Sequence, residues 1–300
     1  MLNPHPGLPE FDYIKPASLV EASQFLAQHA GEARPLLGGT DTFVRMRDGF
    51  WKDKYLVDVK SLPGMNDLVY DPVNGLRIGA AVPMNRVIRQ PEIARLYPLL
   101  VEAAQTVASY QLRSRATIIG NICNASPAGD TSGACMLYEG VLEVHGVDGL
   151  RDEPLAAFFK GPGRTALKAG DVVTALKLPV PPVGNVGHYV KLGRNKLSDL
   201  SIVGVSVLAY PDAALASGFH FRVALASVAP VPLEVGAVTE VLGSQMITAD
   251  TLDAAAVAAM DACNPIDDVR GSARYRKYMV RNLVRRGLDR VWLKLGQQGQ

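Results

Sequence analysis

The sequence has few cysteines, and their spacing excludes several kinds of site. The 300 residues contain only Cys123, Cys135 and Cys263. An odd number at such wide spacing is neither a disulfide framework nor a zinc-binding motif. An iron–sulfur cluster needs four ligands, mostly cysteine thiolates, so this chain does not hold one by itself. Any such cluster belongs to another chain.

Long apolar runs and an excess of charge of one sign are also missing. The longest apolar runs, such as Val203 to Ala209, are far too short to cross a bilayer. The segment Met1 to Glu10 contains three prolines and does not resemble a signal peptide. We therefore expect a soluble cytoplasmic protein without a membrane span. The formal net charge of +2 does not indicate nucleic-acid binding.

Motifs that carry catalytic side chains are absent as well. The sequence has no G-x-G-x-x-G after a strand, no P-loop, no G-x-S-x-G, no H-E-x-x-H and no C-x-x-C. Its histidines are scattered without the spacing of metal ligands, and no pair of side chains indicates general acid–base catalysis. We expect no catalytic and no metal-binding residues. Such a pattern is typical of a protein that positions a cofactor, which then does the chemistry.

Helical and strand periodicities follow one another along the chain without an internal repeat, which predicts an α+β fold. Ser18 and Glu21 form a capping-box pattern in front of a helix that starts at Leu19. Further helices are predicted over Ile93 to Ala108, from Leu233, from Leu252 and near the C-terminus. Residues 179–184 read Pro-Val-Pro-Pro-Val-Gly, a composition typical of a linker. This linker predicts two domains, comprising residues 1–178 and 185–295.

Two glycines follow a short apolar strand in the segment Leu36-Leu37-Gly38-Gly39-Thr40-Asp41. Glycine lets the backbone turn sharply and lets a ligand approach the main chain closely. Successive N–H groups in such a turn form an anion-binding nest, and a helix starting near Asp41 would direct its N-terminus at the same place. We expect a phosphate-binding turn, in which a β-branched side chain at Gly39 obstructs the ligand. An ordinary tight turn or helix cap is the alternative.

A second segment, from Thr117 to Asp130, is small, polar and dense in hydrogen-bonding groups, although apolar stretches flank it. A diphosphate needs many short donors and little bulk, which threonine, glycine, asparagine and serine supply. Asp130 is suited to accept a hydrogen bond from a ribose hydroxyl, as an acidic residue does in other dinucleotide sites. The alternative is a long structural loop with Asx turns.

The order of these segments resembles the FAD-binding medium subunit of the molybdenum hydroxylases, which include carbon monoxide dehydrogenase, bacterial xanthine dehydrogenase and nicotinate dehydrogenase. The resemblance covers almost the whole chain. It is carried by Phe11-Asp12-Tyr13, Leu37 to Asp41, Leu76 to Ala80, Ala125 to Asp130 and Arg270 to Arg276. Each motif is weak alone, but the series in this order is specific.

The resemblance implies a two-subdomain FAD-binding domain of the vanillyl-alcohol oxidase and p-cresol methylhydroxylase type, followed by a smaller α+β C-terminal domain. Both polar segments would grip the FAD diphosphate, and Asp130 matches an aspartate near the ribitol and ribose. Val107, on a helix, and Val173 match apolar contacts, and Lys191 matches a lysine near the flavin. The implied cofactor-binding residues are Pro35, Leu36, Leu37, Gly38, Gly39, Thr40, Asp41, Val107, Thr117, Ile118, Ile119, Gly120, Asn121, Asp130, Val173 and Lys191.

The second segment departs from the family at one position. The family usually has two glycines there, whereas Ile119 precedes Gly120 in this chain. A β-branched residue does not adopt a positive φ comfortably. We therefore expect an extended backbone at Ile119, with the side chain pointing away from the diphosphate. The four-cysteine insertion of the 4-hydroxybenzoyl-CoA reductase branch is also missing, which argues against that branch.

The implied function is an electron relay. A large partner subunit would carry molybdopterin and oxidise the substrate, and a small partner subunit would carry [2Fe–2S] clusters, in a dimer of heterotrimers. FAD would pass the electrons to NAD, a quinone, dioxygen or another acceptor, with access governed by the segment Gly193 to Ser201, which contains Arg194, Lys196 and Asp199. The alternatives are a stand-alone FAD-dependent reductase of the same fold and a non-catalytic assembly subunit without FAD.

Overall fold

The computed structural model describes residues 7–195 and 198–298. Lys196 of the expected acceptor loop lies outside the described residues, as does the stretch 1–6 of the N-terminal segment. Among the described residues, no helix combines the length and the apolar composition that a bilayer crossing requires.

The described N-terminal part contains two larger sheets, a two-stranded sheet and a set of short helices. In chain order its elements are β1 (Asp12–Ile14), α1 (Leu19–Gln28), β2 (Ala33–Leu36), α2 (Thr42–Arg47), β3 (Tyr55–Asp58), β4 (Leu68–Asp71), β5 (Gly75–Gly79), α3 (Met84–Ile88), α4 (Pro91–Leu96), α5 (Pro98–Gln105), α6 (Tyr110–Arg113), α7 (Ile118–Cys123), α8 (Asp130–Leu137), β6 (Val141–Gly146), β7 (Gly149–Pro154), α9 (Leu155–Phe158), β8 (Phe159–Gly161), β9 (Arg164–Thr165) and β10 (Val172–Leu178).

The two larger sheets of this part form its two subdomains. The first is a parallel sheet with the strand order β1-β3-β2, and the second is an antiparallel sheet with the order β4-β5-β10-β6-β7. Helix α1 packs against strands of both sheets, and one apolar core extends from Ala22 in α1 to Leu178 in β10. The α+β fold class that the sequence predicts is confirmed.

The C-terminal part is a sheet covered by helices. Its elements are β11 (Val186–Leu192), β12 (Val203–Pro211), β13 (Phe219–Ala226), β14 (Leu233–Glu234), α10 (Gly236–Gly243), α11 (Ala249–Ala262) and α12 (Ala273–Gln298). The four strands form an antiparallel meander in chain order. Helices α10 and α12 pack on this sheet and α11 packs on both of them, while α5 and α8 of the N-terminal part also pack on the sheet. Strand β12 is therefore covered on both faces, which explains its unbroken run of buried residues from Val203 to Ala209.

Two expected helices differ from those of the structure. The helix predicted over Ile93 to Ala108 is divided between α4 and α5, because Pro98 has no N–H and disfavours helical geometry at the preceding Tyr97. The helix predicted from Leu233 begins only at Gly236, since Leu233 lies in β14 and pairs with Leu225. Ser18 does cap α1, with its hydroxyl oxygen accepting from the N–H of Glu21 at 3.1 Å.

Candidate cofactor-binding site

A cavity of about 500 Å³ lies between the two subdomains and is also lined by residues of the C-terminal part. Its wall is formed by the turn between β2 and α2, the start of α7, the start of α8 and the first residues of β10. Ser198, Asp199 and Leu200, which precede β12, line it from the C-terminal part. Small-molecule and cofactor sites have volumes of roughly 300–1,000 Å³, so the cavity has the size of a ligand site.

The first polar wall is the turn from Gly38 to Asp41. A Cβ atom on Gly38 would overlap the backbone carbonyl of Arg115, so this turn lies directly against the chain that leads into α7. Gly39 has a φ of +72°, and a Cβ there would lie 2.7 Å from the ring of Phe43. The sequence predicted that a side chain at position 39 would obstruct the ligand. The structure adds two reasons against a side chain there that do not involve a ligand, namely backbone strain and the ring of Phe43.

The second polar wall is the first turn of α7, where the sequence suggested a loop. Thr117 caps this helix, and its hydroxyl oxygen accepts from the N–H of Gly120 at 2.9 Å. Ile119 is helical and its side chain is fully buried in the apolar core. The expected extended backbone at Ile119 is wrong. A helical first turn gives a β-branched residue a negative φ, so no second glycine is needed there.

Residues of both walls have main-chain N–H groups without protein acceptors. Gly39, Thr40, Asp41 and Ile119 line it, and within the described residues none of their N–H groups donates to a protein oxygen. Ile119 is buried, Gly39 and Thr40 are half-buried and Asp41 is exposed. A buried backbone donor is almost always paired, so the N–H of Ile119 calls for an acceptor supplied by a ligand or by water, which the N–H groups of the turn can share. An anion with several oxygens satisfies that requirement.

Asn121 supplies a side-chain hydrogen-bond donor to the site, and Asp130 supplies a side-chain acceptor. The amide oxygen of Asn121 accepts from the hydroxyl of Thr131 at 2.7 Å, which leaves its NH₂ group as a donor. Asp130 is buried at the start of α8, and its carboxylate accepts from the hydroxyl of Tyr189 at 2.6 Å and from Lys191 Nζ at 2.7 Å. Burial raises the pKa of Asp130, while Lys191 and Tyr189 act in the opposite direction.

Most of the residues predicted from the sequence lie together on the cavity wall: Pro35, Leu37, Gly38, Gly39, Thr40, Asp41, Val107, Thr117, Ile119, Gly120, Asn121, Asp130 and Val173. Val107 lies in the bend after α5 rather than on a helix. Leu36 and Ile118 are buried in the apolar cores beneath the two polar segments. Lys191 lies behind Asp130, where it also donates to the carbonyl oxygen of Thr106. Their contacts with a cofactor stay a prediction.

Several other residues of the wall were not identified from the sequence. The guanidinium of Arg34 stacks on the ring of Trp51 at 3.7 Å, while its Nε donates to Asp53 at 2.8 Å. Arg34 and Trp51 both line the cavity, as do Thr165 and Leu167 from the segment before β10. No local motif joins these positions, because they meet only through the packing of separate elements.

The fold and the cavity together define a protein that holds a dinucleotide. Two glycine-containing segments present unpaired amides to one space, and a second domain covers one side of it. The C-terminal part has an apolar core of its own, while the core of the N-terminal part continues onto the C-terminal sheet through Tyr189, Leu208 and Ala224. The two parts thus pack together beside the cavity, as expected of domains that meet at a ligand site.

Comparison with known proteins identifies the family. The family described as "FAD binding domain in molybdopterin dehydrogenase" matches residues 9–181, and the "CO dehydrogenase flavoprotein C-terminal domain" matches residues 188–291. The chain is 32% identical over 287 residues to the carbon monoxide dehydrogenase medium chain of Hydrogenophaga pseudoflava, covering 95% of this chain and 98% of that relative. It is 26% identical to the putative xanthine dehydrogenase FAD-binding subunit of Escherichia coli K12, covering 91% and 93% respectively.

A solved structure agrees with this relationship. The carbon monoxide dehydrogenase from Hydrogenophaga pseudoflava that lacks the Mo-pyranopterin moiety of its molybdenum cofactor contains a chain that superposes with a TM-score of 0.90 at 31% identity. The match covers 95% of this chain and 98% of the other. The chain therefore belongs to the family of FAD-binding subunits of the molybdopterin dehydrogenases. It is an FAD-binding medium subunit of a molybdenum hydroxylase, an oxidoreductase, and the resemblance seen in the sequence is confirmed.

Proposed function

We propose that the cavity holds FAD with its diphosphate against the amides of Gly39, Thr40, Asp41 and Ile119. The observation that carries this placement is the convergence of these unpaired donors on one space. The NH₂ group of Asn121 adds a donor beside them. Asp130, an acceptor, is suited to the hydroxyl groups of the ribitol or ribose. Val107 and Val173 would pack on the apolar parts of the cofactor.

The function we propose is the electron outlet of a three-subunit enzyme. Electrons from [2Fe–2S] clusters on a small partner subunit would reach the FAD held here and leave to an external acceptor. A large partner subunit would carry the molybdopterin centre at which substrate is oxidised. The cysteines support this division of labour, because Cys123, Cys135 and Cys263 are too few for a cluster on this chain.

The same proposal covers the organisation of the chain and its assembly. We place the domain boundary at residues 179–184, with an FAD-binding domain over 1–178 and a C-terminal domain over 185–295. Two heterotrimers would form the complete enzyme, in the cytoplasm. Size-exclusion chromatography with light scattering on the co-purified complex tests the stoichiometry, and a ratio other than two copies of each subunit would contradict this arrangement.

The relay role is tested by removing FAD from the assembled complex. Carbon monoxide, xanthine and nicotinate serve as candidate reductants, and NAD⁺, a soluble quinone, a dye and dioxygen serve as candidate acceptors. With the substrate that reduces the clusters, the deflavinated complex should still show bleaching of [2Fe–2S] absorbance but should lose turnover with the physiological acceptor. Adding FAD back should restore turnover.

The two alternatives make different predictions in the same preparation. A stand-alone reductase would turn over as a homogeneous single chain with FAD, which would overturn the relay. An assembly subunit without FAD would show no flavin absorption near roughly 370 and 450 nm, although the complex would form normally. Acceptor reduction that persists in the fully deflavinated complex would also contradict the relay.

A further inference from the structure

Two side chains of β11 converge on the Asp130 carboxylate from the C-terminal domain. Tyr189 and Lys191 are two residues apart on a strand, so their side chains point to the same face of the sheet. The hydroxyl of Tyr189 donates to one carboxylate oxygen of Asp130 at 2.6 Å, and Lys191 Nζ donates to the other at 2.7 Å. Each oxygen of the carboxylate therefore has one fixed partner from the second domain.

The direction of the Tyr189 bond is set by its surroundings. Tyr189 is buried, and burial together with the neighbouring Asp130 holds the pKa of its hydroxyl well above the ordinary value. The hydroxyl is thus a donor at all working pH values, and Asp130 is the acceptor. A carboxylate has about four lone-pair sites, of which Tyr189 and Lys191 use two. Asp130 itself lines the cavity, so its remaining lone pairs are available to a ligand hydroxyl.

The neighbouring strand leaves room for this hydroxyl at one glycine. A Cβ atom on Gly204 of β12 would lie 2.6 Å from the hydroxyl oxygen of Tyr189 but 3.4 Å from the ring carbon that carries it. Even alanine at position 204 would therefore displace the hydroxyl, whereas beside a phenylalanine ring at position 189 the nearest atom would be the Cβ of Ala226 at 3.2 Å. Gly204 has no positive φ, so its backbone does not require glycine.

From these contacts we infer that Tyr189 is a positioning residue of the FAD site, which fixes the Asp130 carboxylate so that its free lone pairs face the cofactor's hydroxyl chain. This inference rests on the proposed placement of FAD. Tyr189 does not line the cavity, so it acts through Asp130 and not by touching the cofactor. The C-terminal domain thereby contributes to cofactor affinity from behind the wall.

The test measures FAD affinity of the full-length chain after deflavination, by fluorescence titration. Tyr189→Phe should weaken FAD binding about tenfold, the effect of losing one hydrogen bond to a charged group. The matched control is Tyr138→Phe, because Tyr138 is also buried and its hydroxyl donates to Asn185 across the same domain contact at 3.1 Å. This control should change FAD affinity less than about twofold.

Two double-mutant cycles separate positioning from general destabilisation. In an Asp130→Ala background, Tyr189→Phe should have no further effect on FAD affinity, because the group through which it acts is gone. Gly204→Ala should weaken FAD binding in the wild-type background and have no further effect beside Tyr189→Phe. Thermal unfolding of the apoproteins should show similar midpoints for Tyr189→Phe and Tyr138→Phe.

Each outcome decides the question. If Tyr189→Phe weakens FAD binding equally in the presence and absence of the Asp130 carboxylate, or if Tyr138→Phe has the same effect, the positioning role is wrong. If the wild-type chain binds FAD and Tyr189→Phe binds it equally well, only this inference fails. A wild-type chain that binds no FAD would overturn the proposed function and this inference together.

Discussion

Gly38 lies against the backbone carbonyl of Arg115, so closely that a side chain at position 38 would overlap it. This contact joins the two glycine-containing segments and brings their free amides to one cavity. The Nε of Arg115 also donates to the carbonyl oxygen of Gly38 at 3.4 Å. The distance between the two polar walls therefore depends on the absence of a side chain at one residue.

Gly38→Ala should separate the two walls and weaken FAD binding by at least about tenfold, because the added Cβ has no space beside the backbone of Arg115. FAD content of the purified chain and its dissociation constant measure the effect. Gly236→Ala is the control, since a Cβ there meets no atom within 4 Å and φ is not positive. FAD binding of Gly38→Ala equal to that of the control would contradict the contact.

Thr117→Val should remove the cap of α7 while keeping the shape of the side chain. The loss of this N-cap should lower the free energy of unfolding by about 1 kcal/mol and should also weaken FAD binding, because the first-turn amides are no longer held in place. Thr248→Val is the matched control, since Thr248 caps α11 in the same way outside the cavity wall. The control should show the same loss of stability and unchanged FAD affinity. Parallel losses of affinity in both variants would count against the site.

Ile119→Ala should separate the packing role of this residue from cofactor binding. The side chain is fully buried, so truncation should lower the free energy of unfolding by about 2–5 kcal/mol. The FAD dissociation constant, measured where the variant is folded, should change less than about twofold, because the side chain lies in the apolar core and the N–H group stays in place. Urea unfolding and flavin titration provide the two measurements. A large change in affinity with little change in stability would show that the side chain contacts the cofactor.

Glu102 should make the domain contact sensitive to acid. Burial alone would raise its pKa, but hydrogen bonds from His188, the N–H of Tyr189 and Lys294 lower the pKa to about 2. Because the pKa of Glu102 is lowered on folding, its ionised carboxylate stabilises the folded state fully at pH values above 4.5, the ordinary pKa of a glutamate. This contribution disappears as the pH falls towards 2.

Glu102→Gln should therefore lower stability at pH 7, and the difference from wild type should shrink between about pH 4.5 and pH 2. Urea unfolding across this range is the measurement. Glu32→Gln removes an exposed ion pair with Lys54 and should have little effect at any pH. A pH-independent difference for Glu102→Gln would exclude its carboxylate as the cause.

Local sequence signals were sufficient for elements that depend on neighbouring residues. Ser18 predicted the start of α1, because capping involves residues only three positions apart. The two glycines after β2 predicted a turn before α2 for the same reason. The second segment was identified by its small polar residues, but its helical turn was not, because glycine and β-branched residues are weak helix formers. There the hydroxyl of Thr117 and the packing of Ile119 determine the local structure.

Contacts between distant parts of the chain had no local signal. Arg34 and Trp51 stack because β2 and the chain after α2 pack together. The resemblance predicted Lys191 near the flavin, which stays a prediction, but its donation to Asp130 and to the carbonyl oxygen of Thr106 follows only from the docking of β11. The role of Tyr189 has the same origin. The contacts of Tyr189 and Lys191, which support the cavity wall through Asp130 without lining it, are thus the ones that sequence patterns do not predict.

Helices of both domains cover the C-terminal sheet, and this packing limits the movement of the C-terminal domain relative to the N-terminal domain. Swinging the C-terminal domain away as a rigid lid would strip α5 and α8 from β12 and expose an apolar surface to water. Such a hinge motion is costly, since the same side chains belong to the folded core. Molecules therefore have to enter and leave the cavity while the two parts of the chain stay docked.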